Sequence, residues 1–381
     1  MMSPRTQKII LVSSGILTVA IIVLGIVVAF QFFGDSPSSN SGAPITPGQE
    51  QATNNDAPGD TEQIVREAQL LLDQTVVNAT INDQGDIRFY QKPSGQVYLT
   101  DTQGAEPQLL DETTLTTINS VEWAPGAPVV ITNVNDRWYT FNYAEQRPET
   151  FSENIIDLQF LGNSRVFYLF QGDDSLDLSI ADTDASNRER VISLSSPDVV
   201  LQAIPSSTNI SQTLPASAFR ASSLRIIDTT AKEAVSVLDE KFGLTVSWAP
   251  NGQNGIISYT LERGGADLEL ALIDDTGFEL QAFPETNTIA DKVVWSRDNQ
   301  TIYYTQPNLT NNRAMPDDYL SGELGDFTES LYRLNTSSGE RTLIASDIGS
   351  VDSRELFLSP EEDRLFFINK RDDKIYFVDL E

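Results

Sequence analysis

Hydrophobic and polar positions divide the chain into three zones. Residues 9–33 form one uncharged, mostly apolar run, residues 34–60 are mainly small or polar, and short apolar runs separated by turn residues continue from Thr75. A helix rises about 1.5 Å per residue, so the 25 residues of the first zone can cross a hydrocarbon core of about 30 Å. We therefore predict a single transmembrane helix over 9–33, preceded by a cytoplasmic stub of residues 1–8.

The second zone is typical of a tether. Residues 34–60 are rich in Ser, Pro, Gly, Asn and Gln, and they cannot bury enough apolar surface to offset the entropy lost on ordering, so we expect a disordered linker. Beyond it, apolar residues follow the helical spacing i, i+4, i+7 and i+8, at Ile64, Ala68, Leu71 and Leu72. This spacing predicts a short amphipathic helix over 61–73, packed on the domain that follows.

The charges that flank the apolar run predict its orientation. Arg5 and Lys8 precede the run, and no further base occurs until Arg66. By the positive-inside rule the N-terminus lies in the cytoplasm and everything after residue 33 is extracytoplasmic, in a single-pass protein of the cell membrane. A cleaved signal peptide is the alternative, but the run is longer than a signal-peptide core. The acidic remainder is repelled by anionic headgroups, so residues 9–33 are the expected membrane contact.

The third zone is repetitive. An alternating apolar strand ending in Asp or Asn recurs at intervals of 41, 40, 46, 46, 61 and 44 residues, with its last residue at Asp101, Asn142, Asp182, Asp228, Asp274, Asn335 and Asp379. Roughly half a repeat earlier, a strand ends in a Trp-containing turn, seen best at 121–126, 246–252 and 294–298. A period of about 40–47 residues with three or four strands is typical of propeller blades. We predict an all-β β-propeller over 75–381.

The turn that begins at Trp123, Trp248 and Trp295, together with the later Asp-ended strand, resembles the TolB-like, WD-repeat-like propeller repeats of bacterial envelope proteins. The resemblance implies the fold and a cell-envelope setting and says little about function. We count seven blades, and six blades with one irregular insertion is the alternative. The run Val76–Ile81 is either the missing outer strand of the last blade or the inner strand of the first.

Composition removes several kinds of chemistry. The 381 residues include 55 Asp and Glu against 25 Lys and Arg, for a net charge of −30, and contain no Cys and no His. Disulfides, thiolate nucleophiles, His-dependent triads and Cys- or His-ligated metals are therefore excluded. The acidity argues against nucleic-acid binding, which needs a basic face. Carboxylate pairs and oxygen-ligand metal sites stay open.

The interval of 61 residues marks an insertion over residues 306–330. Its large apolar side chains are Met315, Tyr319, Leu320, Leu324 and Phe327. Long loops in compact domains commonly carry function, and large apolar side chains need a surface to cover them. We interpret these five residues as a candidate partner-binding loop; a loop that packs back on its own blade is the alternative.

An acidic cluster in the third repeat is a candidate calcium site. It comprises Asp173, Asp174, Asp177, Asp182 and Asp184. Calcium prefers carboxylate oxygens, but the segment lacks the Gly and the distal Glu of an EF-hand loop. We expect a solvated turn here, and we predict no cofactor.

Function is the least determined property. With no nucleophile motif, we predict a non-catalytic scaffold that presents the propeller to an envelope protein or polymer. The alternatives are a glycan-active envelope enzyme that uses carboxylates in the central channel, and a structural surface component. Partly buried acids with raised pKa values converging on the channel would favour the enzyme, and an evenly solvated channel mouth would favour binding.

Overall fold

The computed structural model describes residues 66–309 and 313–381. The predicted stub, transmembrane helix and linker, residues 1–8, 9–33 and 34–60, lie outside the described residues. Within the two described ranges, no helix combines the length and the apolar character needed to cross a membrane.

Nearly all regular structure in the described ranges is β, as the Val-, Ile-, Tyr- and Phe-rich runs predict. The first thirteen strands are β1 (Gln69–Leu72), β2 (Val76–Ile81), β3 (Ile87–Gln91), β4 (Val97–Thr100), β5 (Gln108–Asp111), β6 (Ile118–Trp123), β7 (Val129–Val134), β8 (Arg137–Asn142), β9 (Arg147–Thr150), β10 (Ile155–Leu161), β11 (Arg165–Gln171), β12 (Leu176–Asp182) and β13 (Glu189–Ser193). The others are β14 (Val200–Ala203), β15 (Asn209–Thr213), β16 (Ala221–Asp228), β17 (Glu233–Trp248), β18 (Asn254–Thr260), β19 (Leu268–Asp274), β20 (Glu279–Phe283), β21 (Val293–Trp295), β22 (Thr301–Asn308), β23 (Thr328–Asn335), β24 (Arg341–Ala345), β25 (Ser353–Leu358), β26 (Arg364–Asn369) and β27 (Lys374–Asp379). A four-residue helix, α1 (Asp317–Leu320), and a 3₁₀ turn (Ala290–Lys292) complete the elements.

The strands form antiparallel sheets that follow the chain in order. The first, second and third sheets are β2–β5, β6–β9 and β10–β13; a seven-stranded long sheet, β14–β20, comes next; the fifth sheet is β21–β24; and the closing sheet joins β25, β26 and β27 to β1. The first strand of one sheet contacts that of the next, as in β2 with β6, β6 with β10, β10 with β14, β21 with β25, and finally β25 with β2. Because the last contact returns to the first sheet, the inner strands form a closed ring, which is the architecture of a β-propeller.

The long sheet contains two repeats that share one strand. The first part of β17 pairs with β16, from Glu233 opposite Asp228 to Phe242 opposite Ala221, and the second part pairs with β18, ending with Trp248 opposite Gly255. β17 is therefore the outer strand of one repeat and the inner strand of the next. The register shifts next to Gly243, whose φ of +68° a residue with a Cβ rarely adopts, so glycine is suited to this change of partner.

The closing sheet corrects the helix predicted over 61–73 in the part that the structure describes, residues 66–73. Residues Gln69–Leu72 form β1, which pairs antiparallel with β27, with Gln69 opposite Phe377 and Leu72 opposite Ile375. The helical spacing was misleading because an apolar run this short also fits a buried strand, and backbone pairing with β27 decides between the two. The segment Val76–Ile81 is the inner strand of the first sheet, so the outer strand that closes the ring comes from the residues before it.

The core lies between neighbouring sheets. Trp123, Trp248 and Trp295 are all buried, as their shared repeat position predicts. The Trp248 indole packs in a cluster with Ile204 of the preceding repeat, and its Nε1 donates to Ser211 Oγ at 3.0 Å. The repeated Trp therefore joins successive repeats, which explains why it recurs with the period of the sheets.

Candidate functional site

The insertion lies between β22 and β23 and covers residues 309–327, because both strands extend further than the sequence predicts. It reaches the long sheet: the Asp317 carboxylate accepts hydrogen bonds from Ser217 Oγ at 2.8 Å and from the Ala218 N–H, and the Met315 N–H donates to the Gly265 carbonyl at 3.1 Å. Asp317 also begins α1. The insertion is thus fixed to loops of two neighbouring repeats and does not pack on its own blade alone.

The structure separates the five candidate residues of the insertion. Met315 and Tyr319 are buried in a cluster with Leu268 and Ile289, and Leu324 and Phe327 pack partly buried against it. Leu320 differs, because 45% of its surface is exposed. Four of the five side chains are thus covered by the domain itself, and Leu320 is the candidate for contact with another molecule. The partner-binding role of the set stays a prediction.

A buried ion cluster lies beneath Tyr319. The Lys292 side chain is 2% exposed and that of Glu329 is 0% exposed. Lys292 Nζ donates to Glu329 Oε1, to Asp352 Oδ1 at 3.0 Å and to the Ser353 carbonyl at 2.7 Å. Ser353 Oγ donates to Glu329 Oε2 at 2.6 Å. Buried charges are tolerated when they are paired and hydrogen-bonded, and each charged group here meets that condition.

Tyr319 connects the insertion to this cluster. Its hydroxyl donates to Asp352 Oδ1 at 2.5 Å, and Lys292 Nζ lies 4.8 Å from the centre of its ring. Burial, and then the charges of Asp352 and Glu329, raise the pKa of the Tyr319 phenol, so the phenol stays a hydrogen-bond donor. Sequence reasoning missed Lys292, Glu329 and Asp352. The available signal was a lone lysine at the start of an apolar strand, whereas nothing distinguishes the two acids in sequence.

Acids with raised pKa values lie on the inner strands. Burial raises the pKa of Glu122 on β6 to about 8, and the negative charge of Asp157 adds to the rise, while the Phe160 N–H, which donates to Glu122 Oε1 at 3.2 Å, opposes it. Burial also raises the pKa of Asp157 on β10, although Gln159 Nε2 donates to its carboxylate at 2.9 Å. Two acids of adjacent sheets therefore interact, and Glu122 is set to hold a proton at neutral pH.

Two further acids have raised pKa values, Asp291 in the 3₁₀ turn before β21 and Glu355 on β25. Burial raises the pKa of Asp291, opposed by Lys292, and burial raises that of Glu355 on β25, opposed mainly by Arg354. The Asp291 side chain is in contact with solvent, and protein atoms nevertheless surround its carboxyl closely enough to raise its pKa. Such an environment is expected at the wall of a channel. Across residues 66–309 and 313–381, no three acids gather closely enough to hold a metal ion. The acids on the inner strands thus include one interacting pair, and they do not form a single cluster.

A cavity of 410 Å³ opens beside the insertion. Its wall comes from the inner strands of the third and long sheets, from the start of the fifth sheet and from the insertion, through Gln159, Gln202, Thr245, Asp291 and Leu320 among others. Among the described residues that line it there is no lysine or arginine, and Asp291 is the one charged side chain. The size is that of a small-ligand site, and the lining favours a neutral or positively charged group.

The acidic cluster of the third sheet is engaged with its own neighbours. Asp177 accepts hydrogen bonds from Ser193 and Arg190, which hold the pKa of its carboxyl below the usual range. Asp182 accepts from Asn187 Nδ2 at 2.6 Å, and Asp184 accepts from the Ser186 N–H at 3.0 Å. Asp173 and Asp174 precede β12, Asp177 lies on it, and Asp182 and Asp184 lie at its other end, so the structure does not bring the five acids together in one turn.

Comparison with known proteins adds the fold class. No protein-family model matches the chain, and no curated protein matches it. An oligogalacturonate lyase in complex with manganese is similar in structure, with a TM-score of 0.59 at 11% identity over 84% of this chain and 95% of that one. The oligogalacturonate lyase of Vibrio parahaemolyticus has a TM-score of 0.56 at 11% identity, over 85% of this chain and 92% of that one. The β-propeller domain of Cps50 (Swd1) from Myceliophteria thermophila has a TM-score of 0.54 at 11% identity, over 82% of this chain and 100% of that one. At this identity the likeness defines the fold alone, that of a β-propeller.

Proposed function

We propose that this chain is a membrane-tethered, extracytoplasmic β-propeller of seven blades that works as a non-catalytic scaffold, binding an envelope protein or polymer at the mouth of its channel. The count of seven follows from treating the long sheet as two repeats that share β17, which gives seven four-stranded units around the ring. The N-terminal tether is carried by the apolar run 9–33 and the polar stretch 34–60.

The cavity beside the insertion is the observation that supports the binding role. It combines a concave wall built from several repeats with two exposed apolar side chains, Val200 and Leu320, and one carboxylate, Asp291. Such a site accepts a chain segment that has an apolar group next to a positive charge, since no basic side chain lines the cavity to repel it. The partner is therefore an envelope component that carries basic groups.

Site-specific photocrosslinking in the native host tests this role. A photoreactive residue at position 320 should form adducts with the partner, and those adducts should be lost in the Asp291→Asn background. Position 343 is the matched control, because Leu343 on β24 is 44% exposed and Leu320 is 45% exposed. Equal adducts at both positions, or adducts that persist without the Asp291 charge, would contradict binding at the cavity.

Protease accessibility tests the tether and its orientation. Protease added to intact cells, or to wall-stripped cells if a wall shields the protein, should degrade the part of the chain that follows residue 33. Full protection of that part, under conditions in which a known external protein is cut, would overturn the extracytoplasmic assignment.

A second candidate function rests on Glu122 and Asp157. A carboxyl that keeps its proton at neutral pH beside a second carboxyl is the arrangement of a general acid with a base or nucleophile, as glycan hydrolysis requires. Release of reducing ends from envelope polysaccharide by the wild type, with a loss of more than about 100-fold in Glu122→Gln, would establish this function and reject the scaffold.

A further inference from the structure

A second cleft lies where the first and second sheets meet, and it shares no lining residue with the cavity beside the insertion. It has a volume of 320 Å³. Four aromatic side chains line it, Tyr90 from β3, Tyr139 and Phe141 from β8, and Tyr143 just after β8. Neither the fold nor the proposed scaffold role requires an aromatic concavity at this place.

The rings of the cleft are held by contacts among themselves. The hydroxyls of Tyr90 and Tyr143 share a hydrogen bond of 2.6 Å. The centres of the Phe141 and Tyr143 rings lie 4.7 Å apart in an edge-on arrangement. Behind them, the Trp123 ring lies 5.7 Å from that of Tyr90 and 5.9 Å from that of Tyr143. The aromatic wall is therefore in place before any ligand binds, which lowers the entropic cost of binding.

The charge in the cleft is negative. Within residues 66–309 and 313–381, the lining contains one carboxylate, Asp111, and no lysine or arginine. The Thr113 N–H donates to Asp111 Oδ1 at 2.7 Å, and within the described part of the chain Asp111 forms no ion pair. Burial raises the pKa of Tyr90 to about 12 and raises that of Tyr143 further, with Asp111 adding to both. The phenols are thus neutral at physiological pH, and the carboxylate beside them is without a partner of opposite charge.

The same aromatic cluster already holds one cation. The Arg88 guanidinium carbon lies 5.4 Å from the centre of the Trp123 ring, and Arg88 lines a neighbouring cleft together with Tyr143. Aromatic faces attract cations through their quadrupole, most strongly when water is excluded. The cleft has aromatic walls of this kind, together with a carboxylate, and has no cation of its own in its lining.

We propose that this cleft binds an organic ammonium group, with the cation against the Tyr90, Tyr139, Phe141 and Tyr143 side chains and its charge balanced by Asp111. An anionic ligand would be repelled by Asp111 and by the net charge of −30. A neutral ligand would gain the apolar contacts and leave the carboxylate unused. Quaternary ammonium compounds match both the aromatic walls and the charge.

Calorimetric titration of the full-length protein in detergent with choline tests the proposal. The comparison ligand is 3,3-dimethylbutanol, which has the same shape with carbon in place of the charged nitrogen. Choline should bind, and the neutral analogue should bind at least tenfold more weakly. Equal affinities for the two ligands, or no choline binding at tens of millimolar, would overturn the proposal.

Matched variants locate the binding. Asp111→Asn should weaken choline binding about tenfold, whereas Glu112→Gln changes the same charge at the adjacent, exposed position and should have no effect. Tyr139→Leu should weaken binding while the Tyr90–Tyr143 hydrogen bond is kept, which provides a second variant if Asp111→Asn folds poorly. A loss of choline binding in Asp291→Asn would instead place the binding in the cavity beside the insertion and reject the cleft. Equal effects of the Asp111 and Glu112 variants would assign the binding to the general surface charge and reject the cleft.

Discussion

Glu122→Gln is the most direct test of the electrostatics of the inner strands. The substitution removes the proton that titrates and keeps an oxygen that can accept the Phe160 N–H, now 3.2 Å from Glu122 Oε1. The side chain retains nearly the same shape, so packing against the neighbouring strand changes little. Differences between the two proteins therefore report on the ionisation of this one carboxyl.

The size of the effect follows from the pKa. Burial moves the pKa of Glu122 from its usual 4.5 to about 8. Between these values the folded state holds a proton that the unfolded chain has lost, so the free energy of unfolding must fall as pH rises from about 4.5 and level off above about 8. Each pH unit between the two pKa values lowers the free energy of unfolding by up to about 1.4 kcal/mol, which amounts to about 3 kcal/mol at pH 7. Because the side chain is in partial contact with solvent, this figure is an upper bound. The free energy of unfolding of the Glu122→Gln variant does not fall in this way, because the variant has no carboxyl to titrate at this position.

Urea unfolding across this pH range is the assay. Near pH 4.5 the Glu122→Gln variant and the wild type should have the same free energy of unfolding. As the pH rises toward 8, the variant should become increasingly more stable than the wild type. Glu145→Gln, which alters an exposed carboxylate after β8, should run parallel to the wild type. If the wild type and Glu122→Gln run parallel, Glu122 is ionised throughout, and the candidate general acid of the enzyme alternative is lost with it.

Three further substitutions test the packing. Lys292→Met leaves two buried carboxylates without their cation and should lower the free energy of unfolding by about 3–5 kcal/mol in urea titrations; a loss below about 1 kcal/mol would mean that the cluster is solvated. Trp248→Ala should cost about 3–5 kcal/mol in the same assay, because it empties the contact with the preceding repeat, and a near-zero cost would place the ring at the surface. Replacing residues 309–327 by a short Gly-Asn turn should lower the melting temperature by several degrees, since Tyr319 leaves its partners; an unchanged melting temperature would show that the insertion contributes nothing to the fold.

The repeating parts of the fold could be predicted from sequence because the same pattern of apolar and polar residues occurs in each repeat. The Asp-ended strands and the Trp turns recur with one period, and alternation of apolar and polar residues identifies strands locally. Residues 69–72 could not be assigned in this way, since four residues fit a helix face or a strand equally well. Pairing with the distant strand β27 determines that these residues form a strand, and no local sequence pattern indicates that pairing.

The candidate sites were harder to predict for the same reason. The insertion could be located by its length and its apolar residues, but its direction depends on Asp317 meeting Ser217, a residue 100 positions earlier. Lys292 meets Asp352 across 60 positions. In the aromatic cleft, Tyr90 on β3 and Tyr143 in the turn after β8 come from different repeats, and no local pattern marks either of them for a shared site. Single charged or aromatic positions carry no periodic signal, so their convergence becomes visible only in the fold.

The pairing of β1 with β27 has a consequence for how the domain folds. The two strands are about 300 residues apart in sequence, whereas every other pair in the described sheets joins neighbours along the chain. Closing a loop of that length instead of one repeat of about 40 residues costs roughly 2 kcal/mol more in chain entropy. During synthesis β1 emerges first and must wait, unpaired, until β27 is complete. The ring is therefore expected to close last. The edge of β1 is exposed to other chains until β27 has been made, and the edge of β27 is then exposed until the two strands pair.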